Sequence, residues 1–520
     1  LNRLTIPEIC EKRIKMHFGG ENEAVFLLLK NSYALISAAN YTCPDGFQEI
    51  VKQYQDTGCK LDQAYRKFYL HYDQMEDSEP FEPLRELVEN IYANEYLAEQ
   101  LPKWNEALAT PGSLELLPLQ RDFYARNLEQ TEVRTVVIIS DAMRYEVGRE
   151  LLARMQDDPK CTAKLDVMLG VLPSYTQLGM AALLPHQTLE MTDDFQVLTD
   201  GILGDALASR QKILQGHCPQ RVCIQLDELK AMKVVELREI FTGKQIVYVY
   251  QNQIDAHGDE PRTEDEVFSA CEQAMDEIMK MIRLAVSANT IHFIVTADHG
   301  FLYQRGKRAE SDKITGITET EAFCNHRFLV ARKPIEGQGI QSLSMGQLLG
   351  NKDAKFVSFP VGNSILKLPG GGQNYVHGGS SPQEMLIPVL EIKMEKGHVE
   401  THPAQITLVS ILRKVTNLIT NLDFLQSEPV SDVVRATTYK VFFVSEQNER
   451  ISNENTYIAD SREPETQKRI FRMKFTFKNQ KYSRDKQYYL VACDAAAGIE
   501  LFRHPVIMDL AFTDDFGFGI

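Results

Sequence analysis

The stretch 291-IHFIVTADHGFLY-303 decides how this chain is read. From Ile291 to Ala297 it is almost continuously apolar, and it then stops at Asp298-His299-Gly300. A short apolar run without polar alternation reads as a strand buried on both faces, as strands of parallel sheets are. An acid and an imidazole are poor choices for a turn that needs only to turn. The reading therefore depends on whether other apolar runs end the same way.

They do. The run 134-RTVVIIS-140 is followed by Asp141, and 245-QIVYVYQ-251 by the loop 252-NQIDAHGD-259. After 163-AKLDVMLGV-171 comes 173-PSYTQLGM-180, in which Thr176 opens a helix. Later, 369-PGGGQNYVHGGSSPQEMLIPV-389 presents His377 just before another apolar run. Between these runs lie helical patterns at 145-YEVGRELLARM-155, 175-YTQLGMAALL-184, 233-KVVELREIF-241 and 265-DEVFSACEQAMDEIMKMIRLAV-286. Strands alternating with helices predict a doubly wound, mostly parallel α/β sheet. We assign it residues 131–395, with the polar segment 304–323 as an excursion over the sheet. In such sheets, sites form at the carboxyl ends of the strands.

The flanks have different textures. In 81-FEPLRELVENIYANEYLAEQL-101, Leu84, Leu87, Val88, Ile91 and Tyr92 recur at helical spacing, and residues 1–130 read as a helical region. Residues 396–520 read as a β-sandwich domain, with 472-RMKFTFK-478 alternating at period two and further strands at 440–444, 488–492 and 505–512.

Bulk properties set limits. A chain of 520 residues exceeds one ordinary domain. Its 43% hydrophobic and 25% charged composition is that of an ordinary soluble protein. No apolar run approaches the roughly 20 residues needed to cross a bilayer, and the opening LNRLTIPEICEKRIK has no signal-peptide pattern. The chain opens without Met, as a piece of a longer protein would. Nine scattered cysteines with no CxxC pair read as reduced thiols of a cytoplasmic protein and do not support a zinc finger. A net charge of −16 argues against a generally basic nucleic-acid-binding surface. It suits a protein that holds divalent cations, although solubility alone would also explain it.

Each polar strand end has a plain alternative. Asp141 and Thr176 could cap helices. His377 could be a satisfied loop residue, and Asp255 and Asp259 ordinary loop acids. The joint pattern shifts the balance. Asp, His and hydroxyl groups gathered at one sheet edge are what a metal site needs. Metal-assisted phosphate chemistry uses two cations about 4 Å apart that clamp the attacking and leaving oxygens.

The order Asp, Thr at a helix start, a second acidic loop, Asp-His and a late His resembles the alkaline phosphatase superfamily. Within it, 137-VIISDAMRYEVGREL-151, 171-VLPSYTQLGMAALLP-185, 248-YVYQNQIDAHGD-259, 295-VTADHGFLY-303 and 377-HGGSSPQEMLIPVL-390 resemble PglZ proteins. These are phosphatase-like components of bacteriophage-exclusion (BREX) systems, here of type A. The resemblance is strong over about residues 131–395 and less specific over 1–130. It implies a sheet of alkaline phosphatase type and two divalent metals. An acid at position 259, where the superfamily has an imidazole, would harden the site, so Mn²⁺ or Mg²⁺ is expected as readily as Zn²⁺.

Carried over by position, the resemblance implies that Asp141, Thr176, Asp298 and His299 surround one metal and that Asp255 and His377 hold the other. The superfamily's second loop reads Asp, three residues, His. This chain has Asp255, three residues, Asp259, with His257 out of phase. Asp259 is favoured by spacing and His257 is the alternative. Thr176 is the expected nucleophile, giving a phosphothreonine intermediate, with Ser174 as runner-up. Its place at a helix start also suits an incoming phosphate. Arg144 and Tyr145 are candidate substrate contacts, with a surface or packing role weighed equally. The same holds for His326, Arg327 and Lys313.

Two functions follow. One is a metal-dependent phosphodiesterase or phosphatase acting on a phosphate ester, with nucleotides or oligonucleotides as candidate substrates. The other is a non-hydrolytic component that binds metal or nucleotide while the flanking domains bind other BREX proteins. A sulfatase or phosphoglycerate mutase of the same superfamily fits less well, because the Cys-x-Pro-x-Arg signature of sulfatases is absent and the flanking domains do not suit a mutase. No membrane partner is expected.

Overall fold

A computed structural model describes residues 5–14, 22–306, 308–315, 322–368, 373–395, 402–431, 433–496 and 498–510. The glycine-rich start of the loop before His377 (369–372) and part of the polar excursion (316–321) lie outside the described residues. The chain divides into two compact units, Leu1–Lys396 and Gly397–Ile520.

The first unit is organised by a six-stranded sheet. Its strands are β1 (Thr135–Ser140), β2 (Cys161–Leu169), β3 (Arg221–Gln225), β4 (Ile246–Gln251), β5 (His292–Thr296) and β6 (Leu386–Met394), in the order β2-β6-β5-β1-β4-β3. β1 runs parallel to both β4 and β5, and β3 is parallel to β4. β6 is antiparallel to both β5 and β2. Every residue of β1 and β4 is buried, as their unbroken apolar sequence requires. The edge strand β2 alternates between covered and exposed positions over its first six residues before it too is buried. The long helix Val267–Ser287 buries Val267, Cys271, Ala274, Met275, Ile278 and Ile282, a stripe at three- and four-residue spacing.

Several elements were not expected from the sequence, among them a three-stranded sheet over 189–203 and the helix Leu207–His217. β3 is a five-residue edge strand with Arg and Gln at its ends, too short and polar to stand out. Residues 323–360 form a four-stranded antiparallel sheet, Phe323–Asn325, Phe328–Ala331, Phe356–Pro360 and Ile340–Ser344 in spatial order.

Helices of residues 6–108 belong to the first unit and carry buried polar groups into it. Arg66, with no exposed side-chain surface, pairs with Glu146 at 2.9 Å and with Glu150 at 2.5 Å, and also reaches Glu272. Removing one member of such a buried network strands the others and costs about 3–5 kcal/mol.

The second unit is β-rich. A three-stranded sheet (Ile406–Leu408, Ile419–Gln426, Ile470–Thr476) and a five-stranded sheet built around Thr437–Ser445 and Tyr488–Asp494 contribute to one core. Phe443 of the larger sheet meets Phe475 of the smaller with ring centroids 5.1 Å apart. The nine cysteines are free thiols. No helix among the described residues is long and apolar enough to cross a membrane.

Candidate metal centre

Register explains why the polar strand ends meet. Ser140 lies opposite Gln251, and Ile139 opposite Thr296, so β1, β4 and β5 finish at one edge. β6 runs the other way, with Leu386 opposite Leu169 at the end of β2. Its first residue is therefore at the edge where its neighbours end. The segment before it brings His377 to the same place. Thr176 enters from the β2 side as the first residue of a seven-residue helix, Thr176–Ala182.

Asp141, Asp298 and His299 are buried and offer ligand atoms that lie within 4.8 Å of one another. His299 Nε2 is 3.6 Å from Asp141 Oδ1, 3.5 Å from Asp298 Oδ2 and 3.1 Å from Thr176 Oγ1. The other ring nitrogen, Nδ1, donates to the Gly300 carbonyl at 2.9 Å. That bond places a ring proton on Nδ1, and Nε2 is the nitrogen that faces the two carboxylate oxygens. Asp141 Oδ1 and Asp298 Oδ2 have no hydrogen-bond partner. Buried unpaired acceptors are rare and costly. Burial, and then the neighbouring Asp298 charge, push the Asp141 carboxyl well above the usual carboxylate range. Two buried carboxylate oxygens without partners and a carboxyl whose charge is disfavoured unless compensated fit a cation.

A second group shares His299. Asp255, His299 and His377 also offer ligand atoms within 4.8 Å of one another. The two imidazoles stack with centroids 4.3 Å apart. Asp255 Oδ1 accepts from the Tyr375 hydroxyl at 2.9 Å, and burial raises its carboxyl despite the two nearby imidazoles. His377 Nδ1 is buried without a partner, and Nε2 lies 3.5 Å from Asp259 Oδ1. Burial alone would lower the His377 imidazolium. The Asp259 hydrogen bond and the Asp255, Asp259 and Asp298 charges outweigh it and push it up to about 9. Against its own burial, Asp259 is held below the usual range by the same hydrogen bond.

The helix Gln253–Gly258 settles where the loop residues point. Asp255 and Asp259 are four residues apart and share a face, whereas His257 lies round the other side. His257 Nδ1 is engaged with the Gln253 carbonyl at 2.9 Å. Asp259 is the one beside His377, although it is exposed and lies outside both tight groups.

Other sequence candidates are placed elsewhere. Arg144 is fully buried and pairs with Asp62 at 3.1 Å, its guanidinium over the Phe301 ring. A buried guanidinium requires a counter-charge, and the helix Cys59–Asp73 supplies it. Tyr145 is buried and its hydroxyl accepts from Gln55 at 3.1 Å. Both are packed against the N-terminal helices instead of lying at the cluster as substrate contacts. The Ser174 hydroxyl donates to the Gly379 carbonyl at 2.5 Å. Arg327 pairs with Glu384 at 3.0 Å, Lys313 with Glu310 at 2.9 Å, and His326 Nδ1 lies 3.2 Å from the Leu366 carbonyl.

Backbone proximity sets the spacing. A Cβ on Gly300 would lie 2.1 Å from the Gln383 carbonyl oxygen, so close approach of the backbone requires glycine there. A Cβ on Gly179 would lie 2.2 Å from the Asp298 carbonyl oxygen, so the Thr176 helix rests directly on the Asp298 backbone. Ala142, beside Asp141, adopts φ 64° and donates its N–H to Asp298 Oδ1 at 3.1 Å. A left-handed alanine is uncommon, and such strain clusters at functional sites. Sequence reasoning overlooked Tyr375, Gly179 and Ala142; the glycine one turn after Thr176 was a readable signal.

Comparison with known proteins bears on this arrangement. The family model described as the BREX system PglZ alkaline phosphatase-like domain matches residues 122–392, just over half of the chain. The alkaline phosphatase-like protein PglZ of Bacillus cereus is 35% identical, covering 98% of this chain and 62% of that protein. The alkaline phosphatase-like protein BrxZ of Escherichia coli is 31% identical, covering 95% and 60%. The chain thus spans about three fifths of the length of the curated relatives it matches. Among solved structures, murine ectonucleotide pyrophosphatase/phosphodiesterase 5 gives a TM-score of 0.36 at 10% identity, covering 50% of this chain and 88% of that one. Phosphonoacetate hydrolase from Sinorhizobium meliloti gives 0.32 at 12%, covering 50% and 89%. With the sheet, its strand-end acids and histidines, and a match through all of them, the chain belongs to the PglZ family of alkaline phosphatase-like proteins of BREX systems.

Proposed function

We propose that this chain is a metal-dependent phosphohydrolase of a BREX defence system, with Thr176 as its nucleophile and phosphodiesters, including nucleotides or oligonucleotides, as its substrate class. One observation carries the reading: a hydroxyl, an imidazole nitrogen and two unpaired carboxylate oxygens converge in a buried site. A purely structural metal site has no use for the hydroxyl.

The donors fit two divalent cations. Asp141, Asp298, His299 and Thr176 would hold one, and Asp255, Asp259 and His377 the other. The first set is oxygen-rich and suits Mn²⁺ or Mg²⁺ as well as Zn²⁺. When bound, the cations neutralise phosphate charge and favour the ionised threonine oxygen. Thr176 Oγ1 attacks phosphorus, the bond to the leaving oxygen breaks, and water later hydrolyses the phosphothreonine. Gly300 orients His299 through its carbonyl, and Tyr375 orients Asp255. Binding to other BREX proteins is proposed on the strength of family membership.

The test is release of nitrophenol from mono- and bis-(p-nitrophenyl) phosphate with Mn²⁺, Zn²⁺ or Mg²⁺. Wild type should be active, and Thr176→Ala should lose at least about 10²-fold while retaining metal. A wild type inactive with every metal, or an unimpaired Thr176→Ala, defeats the reading. The first outcome would favour the non-hydrolytic alternative.

A further inference from the structure

Gln120 lies just before the region that matches the family model, in the one-turn helix Gln120–Asp122. Its side chain is fully buried. Nε2 donates to the Asp298 carbonyl at 2.7 Å and to the Ala297 carbonyl at 3.1 Å. Oε1 accepts from the Val171 N–H at 2.9 Å. One amide thus uses both donor hydrogens on the backbone of the metal-site strand end and an acceptor on the loop that leads to Thr176. No other type of side chain than a carboxamide offers two donors and an acceptor in this fork.

The neighbouring contacts show what this clasp holds. The segment that carries Gln120 also holds the start of this loop through its backbone, the Leu169 N–H donating to the Pro118 carbonyl at 2.8 Å, while the Gly170 N–H donates to the Met385 carbonyl at 2.7 Å. The Thr176 helix meets the Asp298 carbonyl at Gly179. The Asp298 carbonyl therefore both accepts from Gln120 and lies against Gly179 of the nucleophile's helix.

We propose that Gln120 is a positioning residue that sets the spacing between Thr176 and the Asp141–Asp298–His299 cation site. The inference rests on the reading of Thr176 and Asp298 given above. It differs from a core glutamine merely kept satisfied, because its partners are the backbone of one expected ligand and the approach to the nucleophile.

The test uses the whole chain carrying Gln120→Leu, and Gln120→Glu as a variant of the same size that keeps the acceptor but puts an oxygen against two carbonyls. Folding is followed by circular dichroism and bound metal by elemental analysis. Both variants should stay folded and bind metal as wild type does. With bis-(p-nitrophenyl) phosphate, kcat should fall about 10–100-fold with KM little changed, as a displaced nucleophile predicts. The visible spectrum of the Co²⁺-substituted protein should change in the direction that Thr176→Ala produces. An unchanged spectrum, or activity lost only in proportion to folded protein, overturns the proposal. So does failure of both variants to fold, which would assign Gln120 to stability alone. If wild type hydrolyses nothing, the reading of function fails, while the Co²⁺ spectrum still judges Gln120.

Discussion

Gly179→Ala isolates the spacing of the site from its composition. The added Cβ would stand 2.2 Å from the Asp298 carbonyl oxygen, 2.7 Å from its carbon and 3.0 Å from the Asp298 Cβ. Carbon–oxygen contacts settle near 3.3 Å, so the helix must retreat by about 1 Å. Backbone meets backbone here, and no flexible side chain can absorb the change. Thr176 lies one turn before Gly179 on the same face, so its hydroxyl retreats too and the 3.1 Å approach to His299 lengthens. Overpacking costs about 1–3 kcal/mol, but alanine in a helix recovers about 1 kcal/mol relative to glycine. Net stability should change by no more than about 2 kcal/mol. A 1 Å misplacement of a reacting group costs about 10²-fold in rate. The assay is kcat for bis-(p-nitrophenyl) phosphate beside urea denaturation of the same preparation. Activity within about threefold of wild type in a folded protein refutes the argument that this contact sets the geometry.

The remaining predictions concern the second cation and the buried framework. Asp259→Ala should lose about one of two bound metals by elemental analysis, while His257→Ala keeps both; the reverse result would transfer the role to His257. Without metal, His377 is raised from 6.5 to about 9, so its contribution to stability is complete below about pH 6.5 and is lost as pH rises through about 9. Asp259→Ala should flatten that part of the profile in urea titrations of metal-free protein from pH 6 to 10. Asp62 accepts from the Tyr54 and Tyr92 hydroxyls at 2.7 Å and from Arg144 at 3.1 Å. Asp62→Ala should cost about 3–5 kcal/mol by denaturant unfolding, because it leaves the Arg144 charge buried and unpaired; a loss under 1 kcal/mol would contradict this.

The central sheet was legible because strand burial leaves a local mark. Val136–Ile139 and Tyr248–Tyr250 are apolar without alternation, and the residues just after them stand out by contrast. For the same reason Asp141, Asp298 and His299 could be picked out before any contact was known. β3 was not legible, since a short edge strand flanked by Arg221 and Gln225 has no such contrast. Nor was the direction of β6, because an apolar run reads the same either way. Arg144 and Tyr145 follow a site aspartate in sequence but belong to the packing of the N-terminal helices. Their partners Asp62 and Gln55 are distant in the chain. Gln120 left no mark because it binds backbone atoms, which every residue has.

What the sequence by itself determined is the set of groups delivered to one sheet edge: acids, imidazoles and a threonine hydroxyl at the ends of buried strands. Side-chain identity and strand burial are local properties, so they can be read in order along the chain. Only the tertiary structure decided which lone pairs face one another. The antiparallel entry of β6 brings His377 against His299. Helical phase selects Asp259 over His257 as the neighbour of His377. Backbone approaches at Gly179 and Gly300 set the spacing to a fraction of an ångström. These depend on distances between segments far apart in sequence, and packing of the whole unit fixes such distances.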